Sequence, residues 1–387
     1  MKEPGLQEGV RKGILSGKIR LFSTRKAAVK DCDVVWIAFD TPVDDKDRAL
    51  THVVEKQVLQ ALSGSKRNAL FILSSQLPVL TTRRLEKAAQ KQRCPRTFAV
   101  IPENLRLGQA MRVFLKPDRV VAGIRNSKSR AIIEEIYRPI TRNIVFMGVE
   151  SAEMTKHAIN GFLATSITFM NEIARICEVT GADAREVEEG LKTENRIGPK
   201  AYLRAGSAFA GGTLARDVLY LSQIGKKRKS HPVLLPSIYR ANQFHGKWLQ
   251  NKLCTLFSNL KNRTICVWGV TYKPGTSILR RSEAVSLIRW LSHQQAKVRY
   301  HDPQAEPLPT FRGVMRIPDP LSALEGADVL LIATPWPEYR GIPLQKIARR
   351  LKGKTLLDPN GFLDVSAPAL DGLNYHRVGI TPCLTKR

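Results

Sequence analysis

The sequence predicts an α/β fold: two Rossmann-like parallel-sheet domains, the first incomplete, joined by a helical middle domain. Short apolar runs alternate with helical patterns at both ends of the chain, which is typical of parallel, doubly wound sheets. Between them, apolar residues such as Phe162, Ile167 and Met170 recur at helical spacing. We therefore expect three domains, spanning residues 1–130, 131–255 and 256–387.

The first domain alternates strands with helices. Strands are expected at Ile19–Phe22, Asp33–Asp40, Leu70–Ser75 and Thr97–Ile101, and helices at Ala49–Leu62 and Thr81–Lys91. Ligands of such sheets bind at the carboxyl ends of the strands. Two polar turns occupy that position, Thr41-Pro42 after one strand and Ser74–Pro78 after the next.

The middle domain is predicted to be helical from about Ala131 to Lys252, without a strand of comparable quality, and built on one long central helix. From Arg263 the α/β alternation returns, and Ser282 is expected to cap a helix. The strands expected in this second Rossmann-like domain are Thr264–Val270, Lys297–His301, Ala327–Ala333 and Lys354–Asp358.

The sequence contains no counterpart of the glycine-rich turn with which a dinucleotide-binding sheet opens. Such a sheet opens with a strand, a GxGxxG turn and a second strand that ends in an acidic residue for the ribose. No GxGxxG occurs in the 387 residues, and Met1 stands within a helix-like segment. We expect both opening strands to be missing, which would expose strand edges and an apolar face. A truncated gene or a misassigned start codon is the alternative to a genuine domain.

The chain is strongly basic, with 62 Lys and Arg against 34 Asp and Glu and a formal net charge of +28. Polyphosphate binding favours such a field. The one dense run, Lys226–Lys229, is typical of a solvated loop, and no nucleic-acid-binding motif accompanies it. Nucleic acid is therefore not the expected partner.

Composition also bears on location and thiol chemistry. No apolar run approaches the roughly 20 residues of a membrane span, and the N-terminus has no signal-peptide core. We expect a cytoplasmic protein that does not enter a membrane. The six cysteines form no CxxC pair, which favours reduced thiols and argues against a zinc site.

Several separated motifs occur in a family-specific order. They are Glu3–Leu6 (EPGL), Asp33–Val43 (DVVWIAFDTPV), Pro102–Gly108 (PENLRLG), Pro117–Arg119 (PDR), Arg196–Gly198 (RIG), Tyr272–Arg280 (YKPGTSILR) and Trp336–Glu338 (WPE). Together they resemble the UDP-glucose/GDP-mannose 6-dehydrogenase family over nearly the whole chain. On that resemblance about 50 N-terminal residues of the family pattern, with the dinucleotide turn, have no counterpart.

The resemblance implies NAD as cofactor, a nucleotide sugar as substrate, and two hydride transfers that convert the C6 alcohol to a carboxylate through a cysteine thioester. The catalytic residues implied are Lys156 and Asn160 (KxxxN), Asp217, Glu103, and Thr213 at the position of the family cysteine. The substrate-binding residues implied are Arg196, which reaches a neighbouring subunit in the family, Arg204 and Lys273. The cofactor-binding residues implied are Thr41, Pro42, Ser75 and Arg280, and no metal is implied.

The departures from the family pattern fall on the chemistry. A threonine hydroxyl has no anionic fraction comparable to that of a thiol, so Thr213 is a poor substitute for the nucleophile. Other departures are Arg216 for Lys, Gln76 for Thr, Leu107 for Glu, Gly212 for Ser, and Ser277 and Ile278 for two aspartates. These substitutions cluster at positions that the resemblance marks as reactive, which indicates lost or altered catalysis.

Three interpretations stay open on the sequence. The chain is a member of this family with impaired or absent catalysis, or a non-catalytic partner. The third interpretation is an enzyme that, with a missing N-terminal segment restored, performs only the oxidation of alcohol to aldehyde. The partner would be a pseudoenzyme in a homodimer, or in a heterodimer with an intact homologue, formed through the central helix, or a basic nucleic-acid-binding protein. UDP and GDP sugars are not distinguished.

Overall fold

The computed structural model of the chain describes residues 3–42, 49–103, 105, 108–210, 213–363 and 372–381. Met1, Val43, Leu107 and Gly212, which the sequence singled out, lie outside these residues, as does the last of the six cysteines, Cys383. The chain divides into two compact units, Met1–Ile159 and Asn160–Arg387. The division into three domains stays a prediction.

Fifteen helices occur in the described residues. They are α1 Leu6–Leu15, α2 Arg25–Val29, α3 Thr51–Leu62, α4 Thr81–Lys91, α5 Ala110–Leu115, α6 Ser127–Tyr137, α7 Val149–Thr180, α8 Ala184–Thr193, α9 Leu214–Lys227, α10 Leu234–His245, α11 Trp248–Leu256, α12 Glu283–His293, α13 Pro320–Ala323, α14 Pro337–Arg340 and α15 Leu344–Arg350.

Eleven strands occur in the same part of the chain. They are β1 Val34–Ile37, β2 Leu70–Leu73, β3 Thr97–Val100, β4 Val120–Ile124, β5 Ile144–Gly148, β6 Thr264–Trp268, β7 Lys297–His301, β8 Val314–Arg316, β9 Val329–Ile332, β10 Thr355–Leu357 and β11 Asn374–His376.

The first unit is built on a five-stranded sheet in the order β1-β2-β3-β4-β5. Strands β1, β2 and β3 are parallel, whereas β4 meets β3 in antiparallel sense through Val100 and Gly123. Helix α3 buries Val54, Val58 and Leu62 in the core on one face of this sheet. The α/β class predicted from the sequence is confirmed, and its parallel character holds apart from this one pairing.

Two predictions for the first unit are wrong. Ile19–Phe22 is not a strand, because within the described residues β1 is the sheet edge and no strand ladder reaches this segment. The stretch after Ala131 is not purely helical, because β5 pairs in parallel with β4. Strand β5 runs directly into α7, so its short apolar run could not be separated from a helical pattern by periodicity alone.

The second unit contains a six-stranded sheet in the order β11-β10-β9-β6-β7-β8, parallel throughout. The four strands predicted here are confirmed, while the three-residue strands β8 and β11 were missed. Ser282 caps α12 as predicted, since its hydroxyl accepts a hydrogen bond from the amide of Val285 at 3.3 Å. Buried apolar side chains cover both faces of the sheet, as expected for a doubly wound architecture.

Asp302, directly after β7, ties the strand ends of this second sheet together. One carboxylate oxygen accepts from the amides of Val270 and Thr271, the Thr271 hydroxyl and the Trp336 indole, at 2.7 to 3.1 Å. The other oxygen accepts from the amides of Gln304 and Ala305 at 2.9 and 2.8 Å. Burial acts to raise the pKa of Asp302, but the backbone amides outweigh burial and hold this pKa below its ordinary value.

The long central helix predicted for the middle of the chain is α7, with 32 residues. The basic run Lys226–Lys229 is exposed; it begins in the last turn of α9 and continues into the following loop. Cations are favoured at the C-terminal end of a helix. The five described cysteines are free thiols. In the part of the chain that the structure describes, no helix has the length and apolar character needed to cross a membrane.

Candidate active site

The turns that follow β1 and β2 lie side by side at the carboxyl edge of the first sheet. The hydroxyl of Thr41 donates to the carbonyl of Gln76 at 2.7 Å, and the hydroxyl of Ser75 donates to the carbonyl of Phe39 at 2.6 Å. These two predicted cofactor-binding residues therefore use their protons to lock one turn to the other. Pro42 follows Thr41 and is exposed.

Ser74 extends this network to the third strand. Its hydroxyl accepts from the indole of Trp36 and donates to the carbonyl of Ile101, both at 2.7 Å. The ends of β1, β2 and β3 are thus held by one buried hydroxyl, which fixes the edge of the sheet where a ligand would bind. The Trp36 ring packs against Tyr137 with centroids 6.0 Å apart, and burial raises the pKa of Tyr137 to about 12.

A narrow open cleft lies at this edge. Its lining brings together three residues implied by the resemblance, Ser75, Glu103 and Lys156, with Gln76, which stands in place of a family threonine. The Glu103 carboxylate is exposed and accepts from the amide of Leu105 at 2.6 Å. The cleft thus carries one cation and one carboxylate from the predicted catalytic set.

Glu153, one turn before Lys156 on α7, was not singled out in the sequence. It is buried, and its two oxygens accept from the amide of Leu80 at 2.6 Å and from the amide and hydroxyl of Thr82 at 2.9 and 2.7 Å. A carboxylate is favoured at the N-terminus of a helix, here α4. In the sequence, only its three-residue spacing from Lys156 could have indicated a role for Glu153. In the structure, Glu153 positions α7 against the turn that lines the cleft.

Asn160 and Asp217 form a buried pair in the second unit. The Asn160 amide donates to the Asp217 carboxylate at 2.5 Å, and the two residues are only 6% and 1% exposed. Asp217 lies in the first turn of α9, where the helix dipole favours a negative charge. The structure therefore brings these two predicted catalytic residues into direct contact, and α7 carries Asn160 one turn beyond Lys156.

Thr213 occupies the N-cap position of α9, one turn before Asp217. It is exposed, and its side chain makes no capping hydrogen bond. Among the described residues, Cys177 is the cysteine on α7, but it stands 17 residues after Asn160, about 25 Å along the helix axis. Its thiol is buried, which raises its pKa and disfavours the thiolate. No thiol therefore replaces the family nucleophile along this helix.

The loop before Thr213 is clamped by side-chain amides. Asn242 on α10 accepts from the Phe209 amide and donates to the Phe209 carbonyl, both at 2.9 Å. Asn171 on α7 accepts from the Gly206 amide at 2.9 Å. These contacts fix the backbone of the loop from two helices.

Gly206 is a position where a side chain has no room. A Cβ atom there would lie 2.6 Å from the side-chain oxygen of Asn360, which accepts from the Ser207 amide at 2.9 Å. Any larger residue would push Asn360 away from the loop. The glycine is therefore required by close packing.

A small pocket with three arginines adjoins this loop. It is lined by Arg185, Arg204, Arg377 and Asn360, together with the carboxylate of Glu188. Arg377 is paired with Asp183 at 2.5 Å. Arg185 donates to the carbonyl of Gly361 at 2.8 Å, so part of the positive charge is held in place by the backbone. Guanidinium groups in this arrangement suit a phosphate-bearing ligand.

The other predicted ligand-binding residues lie elsewhere. Arg196 is exposed and paired with Glu194 at 2.9 Å. Lys273 lies in the loop after β6, where its carbonyl accepts from the Thr271 hydroxyl, and Arg280 is exposed further along that loop. Among the described residues, no group of three or more His, Cys, Asp or Glu side chains is placed to hold a metal ion.

The fit of the first sheet to NAD is partial. The turns after β1 and β2 offer hydroxyl groups at the correct edge, but neither turn contains a glycine. A dinucleotide pyrophosphate needs a glycine-rich turn at a helix N-terminus. Neither of these two turns supplies that cradle, so their hydroxyl groups fit the cofactor's nicotinamide half better than its phosphates.

Three family models match the chain in succession: the UDP-glucose/GDP-mannose dehydrogenase NAD binding domain over residues 1–141, the central domain over 150–244 and the UDP binding domain over 266–365. The chain belongs to the UDP-glucose/GDP-mannose dehydrogenase family. The resemblance drawn from the sequence is thereby confirmed.

Relatives within the family are similar over almost the full chain. The UDP-glucose 6-dehydrogenase TuaD of Bacillus subtilis is 33% identical over 386 residues, which cover 97% of this chain and 83% of that protein. The UDP-glucose 6-dehydrogenase of Pseudomonas aeruginosa is 30% identical and covered over 87% of its length. The UDP-glucose dehydrogenase structure from Pyrobaculum islandicum superposes with a TM-score of 0.84 at 26% identity, covering 98% of this chain and 88% of that one.

Proposed function

We propose that the chain binds a nucleotide sugar and acts on its C6 alcohol as an NAD-dependent 6-dehydrogenase whose second, covalent oxidation is impaired. The observation that carries this proposal is the buried Asn160–Asp217 pair, with Asp217 one turn after Thr213, which by resemblance stands at the position of the family cysteine. Side-chain amides hold the loop before Thr213, which supports a change in reactivity more than in architecture. Relatives named UDP-glucose 6-dehydrogenases support the substrate class.

The roles follow from the chemistry of each group. The Lys156 ammonium lines a cleft and would stabilise negative charge on the C6 oxygen, which is worth more in a site with little water. Asp217, oriented by the Asn160 amide, would accept a proton or hold a water molecule. Glu103 would assist hydrolysis at the mouth of the same cleft as Lys156. NAD, when bound, would supply the acceptor for the hydride.

The threonine limits the second step. In the first oxidation an alcohol loses a hydride and a proton and becomes an aldehyde, which needs a base and an oxyanion partner but no nucleophile. The second oxidation needs a covalent adduct on the aldehyde, and a hydroxyl with an ordinary pKa forms it far less readily than a thiol. We therefore propose an aldehyde as the main product.

For the substrate we propose UDP-glucose, a precursor that would feed polysaccharide synthesis from the cytoplasm. The UDP binding domain match and the pocket with three arginines, which includes Arg204, support a nucleotide diphosphate. Lys273 and Arg280 would contact phosphates from the loop after β6, and Thr41, Pro42 and Ser75 would lie against the cofactor. Arg196 would serve a neighbouring subunit, as its exposure allows.

The test separates binding from turnover. Isothermal titration with UDP-glucose, with GDP-mannose as the comparison ligand, is expected to give heat for the UDP sugar only. With NAD added, about one NADH per sugar is expected from the wild type. Thr213→Cys should raise this ratio toward two, and Thr213→Ser, the matched control, should not. No heat with either sugar would reject the binding proposal, and two NADH from the wild type would reject the impaired second step.

A non-catalytic dimer subunit is the second candidate, favoured by an exposed apolar stripe on α7. Phe162, Phe169 and Ile176 recur every seven residues and are 71%, 47% and 55% exposed. A seven-residue repeat is the spacing by which two helices pack side by side. Phe169→Glu is expected to convert a dimer to a monomer by gel filtration with light scattering. Val233→Glu, an exposed position outside the helix, is the control, and a wild-type monomer would reject the dimer.

A further inference from the structure

The carbonyl of Gly206, in the loop before Thr213, is held by a histidine. Nε2 of His245 lies 2.7 Å from this carbonyl oxygen, and His245 is only 3% exposed in the last turn of α10. The amide of the same Gly206 donates to Asn171 on α7 at 2.9 Å. Both polar backbone groups of Gly206 are therefore held by side chains, one from each helix.

The contact of His245 with Arg175 determines which ring nitrogen carries the proton. Nη1 of Arg175, on α7, lies 3.1 Å from Nδ1 of His245. A guanidinium group can donate but cannot accept a hydrogen bond, so Nδ1 is the unprotonated acceptor. The proton of the neutral ring is then on Nε2, which is the nitrogen that donates to Gly206.

Arg175 is itself restrained by its neighbours. Its guanidinium carbon lies 5.2 Å from the centre of the Phe244 ring, and its Nη2 donates to Glu172 at 3.4 Å. A guanidinium group that already lies over an aromatic ring loses little further freedom when it donates to the histidine. Arg175 therefore acts on the loop through the ring of His245.

The surroundings of His245 favour the neutral ring. Burial lowers the pKa of His245, and the positive charge of Arg175 also lowers it. Glu178 on α7 and the Gly206 carbonyl act in the opposite direction, as does the position in the last turn of α10, where a cation is favoured. The causes that lower the pKa prevail, so the ring keeps one acceptor for Arg175 and one donor for the loop.

We propose that His245 and Arg175 are positioning residues for the loop segment Leu203–Ala210: Arg175 selects the tautomer of His245, and the Nε2 proton of His245 fixes the Gly206 carbonyl. This inference rests on the proposed function, since the nucleotide sugar is the ligand that the loop would serve. Neither residue touches the reacting atoms in this scheme. Their effect is on the order of the backbone that leads to Thr213.

A role in packing α10 against α7 is the alternative. Such a role would depend on the volume of the ring and would not depend on which nitrogen carries the proton. Two substitutions of His245 separate the roles. The side-chain nitrogen of Gln can lie near the place of Nε2 and donate to Gly206, whereas Asn ends near the place of Nδ1 and can only accept from Arg175.

The first experiment measures hydrogen exchange of the Gly206 amide in the full chain without ligand. His245→Asn is expected to accelerate this exchange roughly tenfold to a hundredfold, because the buried carbonyl then lacks a donor, and His245→Gln is expected to stay within about threefold of the wild type. His293→Asn, at an exposed histidine in the last turn of α12, is the matched control and should leave the exchange unchanged. Equal acceleration by Asn and Gln, or none by Asn, would overturn the positioning role.

The second experiment reads the tautomer and leaves His245 intact. The ¹⁵N resonances of its ring are expected to show the Nε2–H form in the wild type at neutral pH. Arg175→Met keeps most of the side-chain length without the donor, so it should introduce the Nδ1–H form and accelerate Gly206 exchange about fivefold. An Nδ1–H ring or a doubly protonated ring in the wild type would contradict the proposal.

Binding provides the link to the proposed function. In isothermal titration with UDP-glucose, His245→Asn is expected to weaken binding at least about fivefold, whereas His245→Gln should bind within about twofold of the wild type. Equal affinities of the wild type and His245→Asn would show that the loop does not serve the sugar. No heat from the wild type would reject the proposed function alone, because the exchange and the ring resonances are measured without a ligand.

Discussion

The clamp that Asn242 places on Phe209 allows a quantitative prediction. Asn242→Leu keeps the approximate volume of the side chain but removes both 2.9 Å hydrogen bonds. Phe209 is 8% exposed, so water does not readily reach its amide and carbonyl. Leaving a buried polar group without a partner costs about 1–3 kcal/mol, and two groups with partial relaxation should cost roughly 2–4 kcal/mol.

Two measurements report this cost. Urea unfolding followed by circular dichroism gives the change in the free energy of unfolding, and hydrogen exchange gives the opening of the loop. If the loop opens by itself, 2–4 kcal/mol corresponds to a roughly 30- to 1,000-fold faster exchange of the Phe209 amide. Asn251→Leu, at an exposed position on α11, is the control and should change the free energy by less than about 0.5 kcal/mol.

An unchanged protein would contradict the clamp. Suppose Asn242→Leu unfolds within about 0.5 kcal/mol of the wild type and the Phe209 amide exchanges at an unchanged rate. The two side-chain bonds would then not hold the loop, and the retained geometry around Thr213 would need another explanation. A loss confined to exchange would still support the clamp, acting locally.

Two further predictions concern packing and pH. Gly206→Ala should lower the free energy of unfolding, measured in urea, by roughly 1–3 kcal/mol, because its Cβ displaces Asn360. Gly190→Ala, in open space on α8, is the control and should raise the free energy of unfolding by roughly 0.5–1 kcal/mol. Equal effects of the two substitutions would contradict the packing argument. Burial lowers the pKa of His376 to about 4, so the unfolded state binds a proton at a higher pH than the folded state does. The free energy of unfolding should therefore fall by up to about 3 kcal/mol as the pH drops from about 6.5 through 4. His376→Leu should flatten this dependence, and an unchanged slope would assign the dependence to other groups.

The sequence predicted the second sheet better than the first, for a physical reason. Its strands are flanked by their own partners in the chain, so local apolar runs such as Lys297–His301 coincide with real strands. Ile19–Phe22 has an equally strand-like pattern, but a strand exists only where a neighbour supplies hydrogen bonds. That neighbour is a property of the whole sheet and cannot be read from four residues.

The catalytic roles of the candidate site stay a prediction, and the contacts that support the site were not predicted. Lys156 and Asn160 carry a recognisable spacing on one helix, but the contact between Asn160 and Asp217 joins residues 57 positions apart and could not be read from it. Glu153 and Asn242 carry no motif, because a side chain that clamps a distant backbone leaves no local pattern. Such contacts join residues far apart in the chain, and only the fold brings them together.

Asp302 changes what the second sheet can recognise. It stands at the end of the strand beside β6, where dinucleotide-binding folds keep an acidic residue free for a ribose. Here six donors of the protein itself saturate both oxygens. A ribose presented at this carboxylate would have to compete with the chain's own backbone. We therefore expect this half of the molecule to bind dinucleotides poorly, because its own donors occupy the carboxylate and no steric block is needed.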